Sequence, residues 1–183
     1  RSNITDESMK YVAQLAGLRR LYLSYTAISD AGLVHLKDMV QLQYLSLNDN
    51  KLTDAGLVHL KGLVNLRQLW LHQRDTGGRQ IIEITDTGLV NLKEMTKLRT
   101  LYLSYTRIGD GGLSHLKGLT ALEGLALTGT SVGDSGLKGL KALTKLRFLE
   151  LSDTMITDAG LVHLKGLPLR NFGLNRTAIS DQG

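Results

Sequence analysis

Leucine, isoleucine and valine recur along the chain at a nearly fixed interval, each time two residues before an aspartate. The intervals are 24 residues, except for one of 32 and a last one of 23. Self-similarity at this period predicts a solenoid, in which each unit buries its apolar face only against its neighbours. The anchor positions are Ile4, Ile28, Leu52, Ile84, Ile108, Val132, Ile156 and Ile179.

The residues before each anchor predict a short strand. In the first complete repeat, Leu21 and Leu23 alternate with Tyr22 and Ser24, and this period of two is typical of a half-buried strand. The same register predicts seven parallel strands, centred near Leu21–Leu23, Leu45–Leu47, Leu69–Leu71, Leu101–Leu103, Leu125–Leu127, Leu149–Leu151 and Phe172–Leu174.

The residues after each anchor predict a short outer helix. Ser29 is a suitable N-cap, and Asp30 lies in the first turn, where the helix dipole favours an anion. Leu33, Leu36 and Met39 then have helical spacing. A helix of about two turns does not persist alone in water, so stacking must stabilise it.

Glycine recurs twice in the predicted helices. Its recurrence at the third helical position suggests close approach of backbone between neighbouring coils, with shared descent of the repeat as the alternative. This set is Gly32, Gly56, Gly88, Gly112, Gly136 and Gly160. The second set stands at the expected C′ position, where a left-handed residue commonly ends a helix, and consists of Gly62, Gly118 and Gly166.

Pro168 marks a shortened final coil, because the last anchor interval is 23 residues. We expect the adjustment to stay in the loop between helix and strand. Leu169, Phe172 and Leu174 should then still point inward.

The pattern L-x-x-L-x-L-x-x-T-x-I-x-D-x-G-L resembles the leucine-rich repeat, whose hallmark is L-x-x-L-x-L-x-x-N/C-x-L, over nearly the whole chain. Its 24-residue length and I-T-D-x-G-L phrase are most similar to the cysteine-containing subclass and to related bacterial repeats. The resemblance implies an α/β fold. It would be a curved, right-handed solenoid with a parallel sheet on the concave face and short helices on the convex face. The family also implies a role in protein recognition.

The chain departs from the family hallmark at one position. Only Asn50 keeps the family's asparagine, and most other repeats have threonine there. The threonine hydroxyl can form only part of the hydrogen bonds of an asparagine side chain. Threonine stands there in five other repeats, as Thr26, Thr106, Thr130, Thr154 and Thr177.

Positions that do not repeat are candidates for function, and most of them lie between and after the strand leucines, facing the concave side. Seven of the nine aromatic residues fall in these columns, which hold less than a sixth of the chain. Exposed aromatics are enriched at binding hot spots, whereas aromatic pairing across strands is the structural alternative. The predicted partner-binding residues are Tyr22, Tyr25, Tyr44, Asp49, Trp70, His72, Arg74, Arg79, Tyr102, Tyr105, Phe148 and Glu150.

The 32-residue interval contains about eight extra residues, 74–81, which leave the end of the third strand. Insertions in solenoids cluster on one face, often the binding face, although a neutral surface loop is the structural alternative. This insertion should place Arg74, Asp75 and Arg79 beside Trp70 and His72. We therefore predict that it forms one wall of the binding site.

Charge and composition exclude several other functions. The net charge of +5 comes from lysine and arginine at fixed repeat positions, opposed by the recurring aspartates, which is typical of a solvated surface. The chain has no cysteine, so it has neither disulfides nor thiolate metal sites. Four of the five histidines share one helix position, and only His72 lies in a concave column. No P-loop, G-x-G-x-x-G, G-x-S-x-G or H-E-x-x-H motif is present. We therefore predict no enzymatic activity, no cofactor and no metal site.

Together these patterns favour a single domain over residues 1–183, with about seven full repeats and truncation at both ends. We predict a non-enzymatic module that recognises a protein through the concave face and the 74–81 insertion. The alternatives are a carbohydrate-binding domain, with Tyr22, Trp70 and Tyr102 stacked on sugar rings, and the recognition part of a larger enzyme. Nucleic acid is a disfavoured partner, and no apolar stretch is long enough to span a membrane. Uncapped solenoid ends carry a risk of self-association. The compartment stays open.

Overall fold

The computed structural model describes residues 3–73 and 82–180. Within them, seven parallel strands form one sheet in sequence order, as predicted. Each strand has three residues and is centred one residue before the position we expected. The strands are β1 (Arg20–Tyr22), β2 (Tyr44–Ser46), β3 (Gln68–Trp70), β4 (Thr100–Tyr102), β5 (Gly124–Ala126), β6 (Phe148–Glu150) and β7 (Asn171–Gly173).

The pairing register keeps equivalent repeat positions side by side. Leu21 pairs with Leu45, and Leu45 pairs with Leu69. Leu69 then pairs with Leu101 although the insertion lies between them in sequence. The extra residues therefore leave the sheet without shifting it.

Short helices follow the strands on the opposite side of each coil. The α-helices are α1 (Met9–Val12), α2 (Asp30–Leu33), α3 (Asp54–Leu57), α4 (Asp86–Leu89), α5 (Asp110–Leu113) and α6 (Asp158–Leu161). Helices α2 to α6 continue directly into 3-10 segments, Val34–Leu36, Val58–Leu60, Val90–Leu92, Ser114–Leu116 and Val162–Leu164 respectively. A 3-10 turn over Asp6–Ser8 precedes α1. The combined length agrees with the predicted two turns.

The predicted N-caps are confirmed in four coils, whereas Thr5 makes no cap hydrogen bond with its side chain. Ser29 accepts a hydrogen bond from the backbone N–H of Ala31 at 3.3 Å, and Thr53, Thr85 and Thr157 act in the same way. The coil after β5 differs, and the missing cap side chain at Gly133 is not the cause, because Gly109 also lacks one and still precedes α5. Only a 3-10 helix, Gly136–Leu140, forms there.

The core is a single stack of aliphatic side chains between sheet and helices. The strand leucines, the anchors and the helix leucines are fully buried in every inner coil, for example Leu45, Leu52 and Leu57. They belong to one continuous hydrophobic cluster. Burial of each such side chain contributes about 1.5–3 kcal/mol before entropy is subtracted, which is what holds helices too short to form alone.

The glycine at the third helical position is explained by an aspartate of the preceding coil. Asp54 Oδ1 accepts a hydrogen bond from the N–H of Thr85 at 2.8 Å, and Asp54 Oδ2 accepts one from the Thr85 hydroxyl at 2.5 Å. A Cβ added at Gly88 would collide with that Oδ1. The close approach is therefore confirmed, and its partner is a carboxylate rather than backbone.

The threonines that replace the family's asparagine make fewer bonds, as expected. Asn50 Nδ2 donates to the carbonyl of Leu47 in its own coil at 3.0 Å and to that of Leu23 in the coil before at 2.7 Å. Thr106 and Thr130 donate only to a carbonyl three residues earlier in their own coil, at 2.6 and 2.7 Å.

The final coil confirms one expectation and corrects another. Phe172 pairs with Leu149, so the register absorbs the shorter interval, and the backbone change lies at Gly166, where φ is +87°. Phe172 is nevertheless 40% exposed and not buried. The reason is that, among the described residues, no strand pairs with the other side of β7.

Only one of the three expected C′ glycines has the predicted left-handed backbone. Gly166 does, whereas Gly62 and Gly118 do not. The helix before each of the three glycines ends in a 3-10 turn, so the type of helix ending does not distinguish Gly166 from the other two.

Candidate functional site

Five aromatic rings form a continuous row across the sheet on the side opposite the core. We call Tyr22, Tyr44, Trp70, Tyr102 and Phe148 the aromatic row. Successive ring centroids are 4.6 Å, 5.7 Å, 4.9 Å and 6.1 Å apart. Tyr22 is 61% exposed, and the other four rings are partly exposed. The row joins strands β1 to β6 into one surface.

Strand register explains why these rings meet. Trp70 and Tyr102 are direct partners on β3 and β4. Tyr22 and Tyr44 are diagonal neighbours, since Tyr22 lies opposite Ser46. Cross-strand and diagonal positions on one face are within reach of aromatic side chains.

The last contact of the row crosses an intervening strand. Tyr102 on β4 reaches Phe148 on β6 because β5 presents only Gly124 and Ala126 on this face. A Cβ added at Gly124 would stand 3.6 Å from the Phe148 ring. Both small residues are buried beneath the rings.

His72 packs against the centre of the row. Its ring centroid lies 6.1 Å from those of both Trp70 and Tyr102. Burial lowers the pKa of His72 from its usual 6.5, and the nearby charge of Asp49 opposes that shift. His72 is therefore placed as a contact residue that tends to stay neutral.

Buried polar side chains form the floor under the first half of the row. Ser46 and Asn48 are almost completely buried. Asn48 Oδ1 accepts a hydrogen bond from the N–H of His72 at 3.2 Å, and its Nδ2 donates to Ser46 Oγ at 3.4 Å. Burial raises the pKa of Tyr44, and a hydrogen bond with Ser46 partly offsets this. We did not single out these two floor residues from sequence, since neither residue type marks a site.

The predicted residues Tyr25, Asp49 and Tyr105 lie in the turns just after the strands. Their φ angles are 58°, 54° and 57°, in the left-handed region that favours glycine. Gly129 occupies the equivalent turn one coil after Tyr105, and a Cβ on it would collide with the Tyr105 ring. These side chains therefore flank the aromatic row and also shape the turns.

Glu150 is engaged by contacts within the chain. Its Oε1 accepts a hydrogen bond from the N–H of Ser152 at 3.1 Å and another from the Ser152 hydroxyl. The carboxylate lies over Gly173, where an added Cβ would collide with it. Sequence reasoning missed this role, because Glu150 occupies the same concave column as the aromatics.

Arg74 and Arg79 lie outside the described residues, as does the rest of 74–81. The structure does show how the coil is closed around the insertion. Gln73 is only 3% exposed, and its Oε1 accepts a hydrogen bond from the N–H of Ile82 at 3.0 Å. The side chain thus ties together the two ends from which the insertion leaves.

Among residues 3–73 and 82–180, no group of three or more histidine, aspartate or glutamate side chains is arranged to hold a metal ion. In the same ranges, no helix combines the length and the apolar character needed to cross a membrane.

Comparison with known proteins agrees with this geometry. A family profile described as Leucine rich repeat matches residues 3–73, and a second leucine-rich-repeat profile matches 94–117 and 142–164. A search of curated protein sequences finds no match.

Two solved structures of Listeria monocytogenes proteins are similar over almost the whole chain. Internalin C2 is 30% identical with a TM-score of 0.78, and the alignment covers 98% of this chain and 70% of that one. The internalin inlF is 24% identical with a TM-score of 0.77 and 93% of this chain covered. The chain spans 45% of the length of that inlF chain.

The repeat register, the sheet and these matches agree on one family. They do not confirm the cysteine-containing subclass, and that part of the resemblance remains a prediction. The chain belongs to the leucine-rich repeat family.

Proposed function

We propose that this chain is a non-enzymatic recognition domain that binds a protein partner through the aromatic row and the turns beside it. The observation that carries the proposal is the continuity of the row across six strands, with Tyr22 61% exposed. Leucine-rich repeats and the similarity to internalins suggest a protein-interaction module in general terms. The choice of surface is our own inference, as is the interpretation of 1–183 as one domain.

Trp70 supports the choice because it occupies the centre of the row at some cost. Its indole Nε1 is shielded from solvent and has no hydrogen-bond acceptor among the described residues. A polar group left unsatisfied in this way is destabilising, by about 1–3 kcal/mol. A ring chosen only to stabilise the sheet would avoid that loss, so binding is the better explanation for a tryptophan here.

Ring geometry favours a protein over a carbohydrate. Stacking on successive sugar rings needs exposed aromatic faces. Within the row, neighbouring rings are instead inclined to each other by 39° to 74°. Such a surface offers edges and clefts that suit the side chains of a folded partner.

The test replaces Trp70 with alanine and measures affinity for a partner isolated from cells of the source. Truncation of a central hot-spot tryptophan should weaken binding by at least about 2 kcal/mol, close to thirtyfold. Tyr44→Ala, Tyr102→Ala and Tyr105→Ala should give smaller losses, and deletion of 74–81 should also weaken binding. Because Trp70 contacts the Tyr44 and Tyr102 rings, its loss should also cost about 1 kcal/mol of stability, so binding is measured well below Tm.

His59→Ala and Lys61→Ala are the matched controls on the convex side and should leave affinity unchanged. Normal binding by Trp70→Ala, together with loss of binding in either convex variant, would place the recognition surface elsewhere. Competition by simple neutral glycans at the same site would instead support the carbohydrate alternative.

A further inference from the structure

Three arginines converge at one end of the concave face, beside the first two rings of the aromatic row. They line a groove of about 440 Å³ at the beginning of strands β1 to β3. We call this the arginine groove; its lining residues are Arg19, Arg20, Tyr22, Gln43, Tyr44, Arg67 and Gln68.

The repeat itself brings the arginines together. Arg19 and Arg67 occupy the same position in two coils, with Gln43 between them. The N–H of Gln43 donates to the Arg19 carbonyl at 2.8 Å, and the N–H of Arg67 donates to the Gln43 carbonyl at 2.8 Å. Two strand spacings separate the backbones of the two arginines by roughly 10 Å. Arg20 lies one residue further, opposite Tyr44.

These three positive charges are not neutralised within the described part of the chain. Arg19, Arg20 and Arg67 are all exposed, and in residues 3–73 and 82–180 no acidic side chain pairs with them. The same repeat position is different further along the chain. There Glu123 replaces the glutamine, and Arg99 lies 3.9 Å from its carboxylate.

The charge pattern limits the size of the ligand. The run of unpaired arginines is interrupted by Glu123, two strands beyond the groove, where Arg99 lies beside the carboxylate. A short acidic segment would contact only the groove. Arginine forks pair with carboxylates in two-point hydrogen bonds, and the exposed Tyr22 ring can cover an adjacent apolar side chain.

We propose that the arginine groove binds a short acidic segment of the protein partner. The carboxylates of the segment pair with Arg19, Arg20 and Arg67, and a neighbouring apolar side chain lies against Tyr22. This assignment deepens the proposed function and rests on it, because it takes the concave face to be the surface that a protein partner occupies.

The probe is a fluorescein-labelled, end-capped peptide of sequence Glu-Leu-Glu-Phe-Glu, titrated with the whole chain and followed by anisotropy. The replacement Arg19→Gln/Arg20→Gln/Arg67→Gln should weaken binding at least about tenfold at low salt. A peptide with glutamine in place of each glutamate should bind the wild-type chain equally weakly. The control Lys37→Gln/Lys61→Gln/Lys117→Gln removes the same charge from the convex side and should stay within about twofold of wild type.

Equal binding of the two peptides, or unchanged affinity in the arginine variant, would overturn the proposal. So would displacement of the acidic peptide by a short single-stranded DNA at a lower concentration than unlabelled peptide, since the groove would then select phosphates. Circular dichroism establishes that both triple variants are folded. Trp70 does not line the groove, so Trp70→Ala separates the two proposals. If Trp70→Ala binds the partner normally, the aromatic row is not the binding surface. Peptide binding that depends on the arginines would still support the groove.

Discussion

At the residue scale, each coil is fastened to the next by a carboxylate above a glycine. Asp30 holds Thr53 in this way, with its Oδ1 2.9 Å from the Thr53 N–H, and Asp134 holds Thr157 at 2.8 Å. The aspartate therefore supports the first turn of its own helix and orders the cap of the following one. The sequence showed the charge but not its second partner, because that partner lies one repeat away.

Gly88→Ala should destabilise the fold by about 1–3 kcal/mol, because its Cβ would collide with Asp54 Oδ1 and stand 3.0 Å from Leu57 Cδ1. Urea unfolding gives the change. Gly118→Ala is the control, since the nearest atom to its Cβ is the Lys93 carbonyl oxygen at 3.9 Å, and it should be neutral or slightly stabilising.

A double mutant identifies the cause of that loss. In an Asp54→Ala background the penalty of Gly88→Ala should shrink, because the colliding oxygen is absent. A penalty of the same size in both backgrounds would mean that Leu57 or the helix itself, and not the carboxylate, forbids a side chain there.

His72 should make stability depend on pH. Its folded pKa lies below 6.5, so between the folded and unfolded values the unfolded chain binds more protons. The contribution of neutral His72 is fully present above pH 6.5 and is lost as pH falls through the folded pKa. NMR titration of its imidazole should give a midpoint below 6.5. His72→Gln should remove this component from unfolding curves, and a slope that persists unchanged in that variant would assign it to other groups.

At the element scale, the sheet tolerates an insertion because hydrogen bonds close the coil between the residues on either side of it. The Glu83 N–H returns to the Leu52 carbonyl at 2.7 Å, as in coils without an insertion, and Gln73 spans the gap to Ile82. Sequence reasoning found the place of the insertion from the anchor interval. It gave no signal for Gln73, whose type is normal on a surface and whose burial results from the neighbouring coils.

Gln73→Leu should cost about 1–3 kcal/mol, because a side chain of similar size would leave the buried N–H of Ile82 without its acceptor. Thermal or urea unfolding measures it. Gln68→Leu, on the exposed side of β3, is the matched control and should change stability by less than about 0.5 kcal/mol. Similar effects of both substitutions would show that the Gln73–Ile82 bond does not close the coil.

The elements were predictable to different degrees for a physical reason. Strands, helices and anchors follow from apolar periodicity, since a buried position admits few residue types. The alignment of Leu101 with Leu125 follows from the 24-residue repeat length. The left-handed turns at Tyr25 and Tyr105 did not, because those positions vary in type and the backbone there is fixed by the stacked coils. The aromatic row was predictable as a set of exposed positions, but its contact across β5 depended on Gly124 being covered by Phe148.

At the scale of the whole molecule, the two faces are under different constraints. The helices repeat the same residues from coil to coil, and their charges form ridges of both signs. The strand face changes residue type at nearly every coil, and it carries the aromatic row and the arginine groove. The frame can accept such variation because every coil has its own buried leucines.

Stability should also be distributed along the solenoid, since each coil contacts only its neighbours. Leu101 on β4 is fully buried between two coils, whereas Phe172 on β7 is 40% exposed and is covered from one side. Leu101→Ala should cost about 2–5 kcal/mol, and Phe172→Ala should cost less than that. In hydrogen exchange, the amides of β4 should be protected far longer than those of β7, and Phe172→Ala should speed exchange mainly in β6 and β7. Equal protection of the two strands, or a uniform acceleration over all seven, would mean that the chain unfolds as one cooperative unit rather than from its exposed coil.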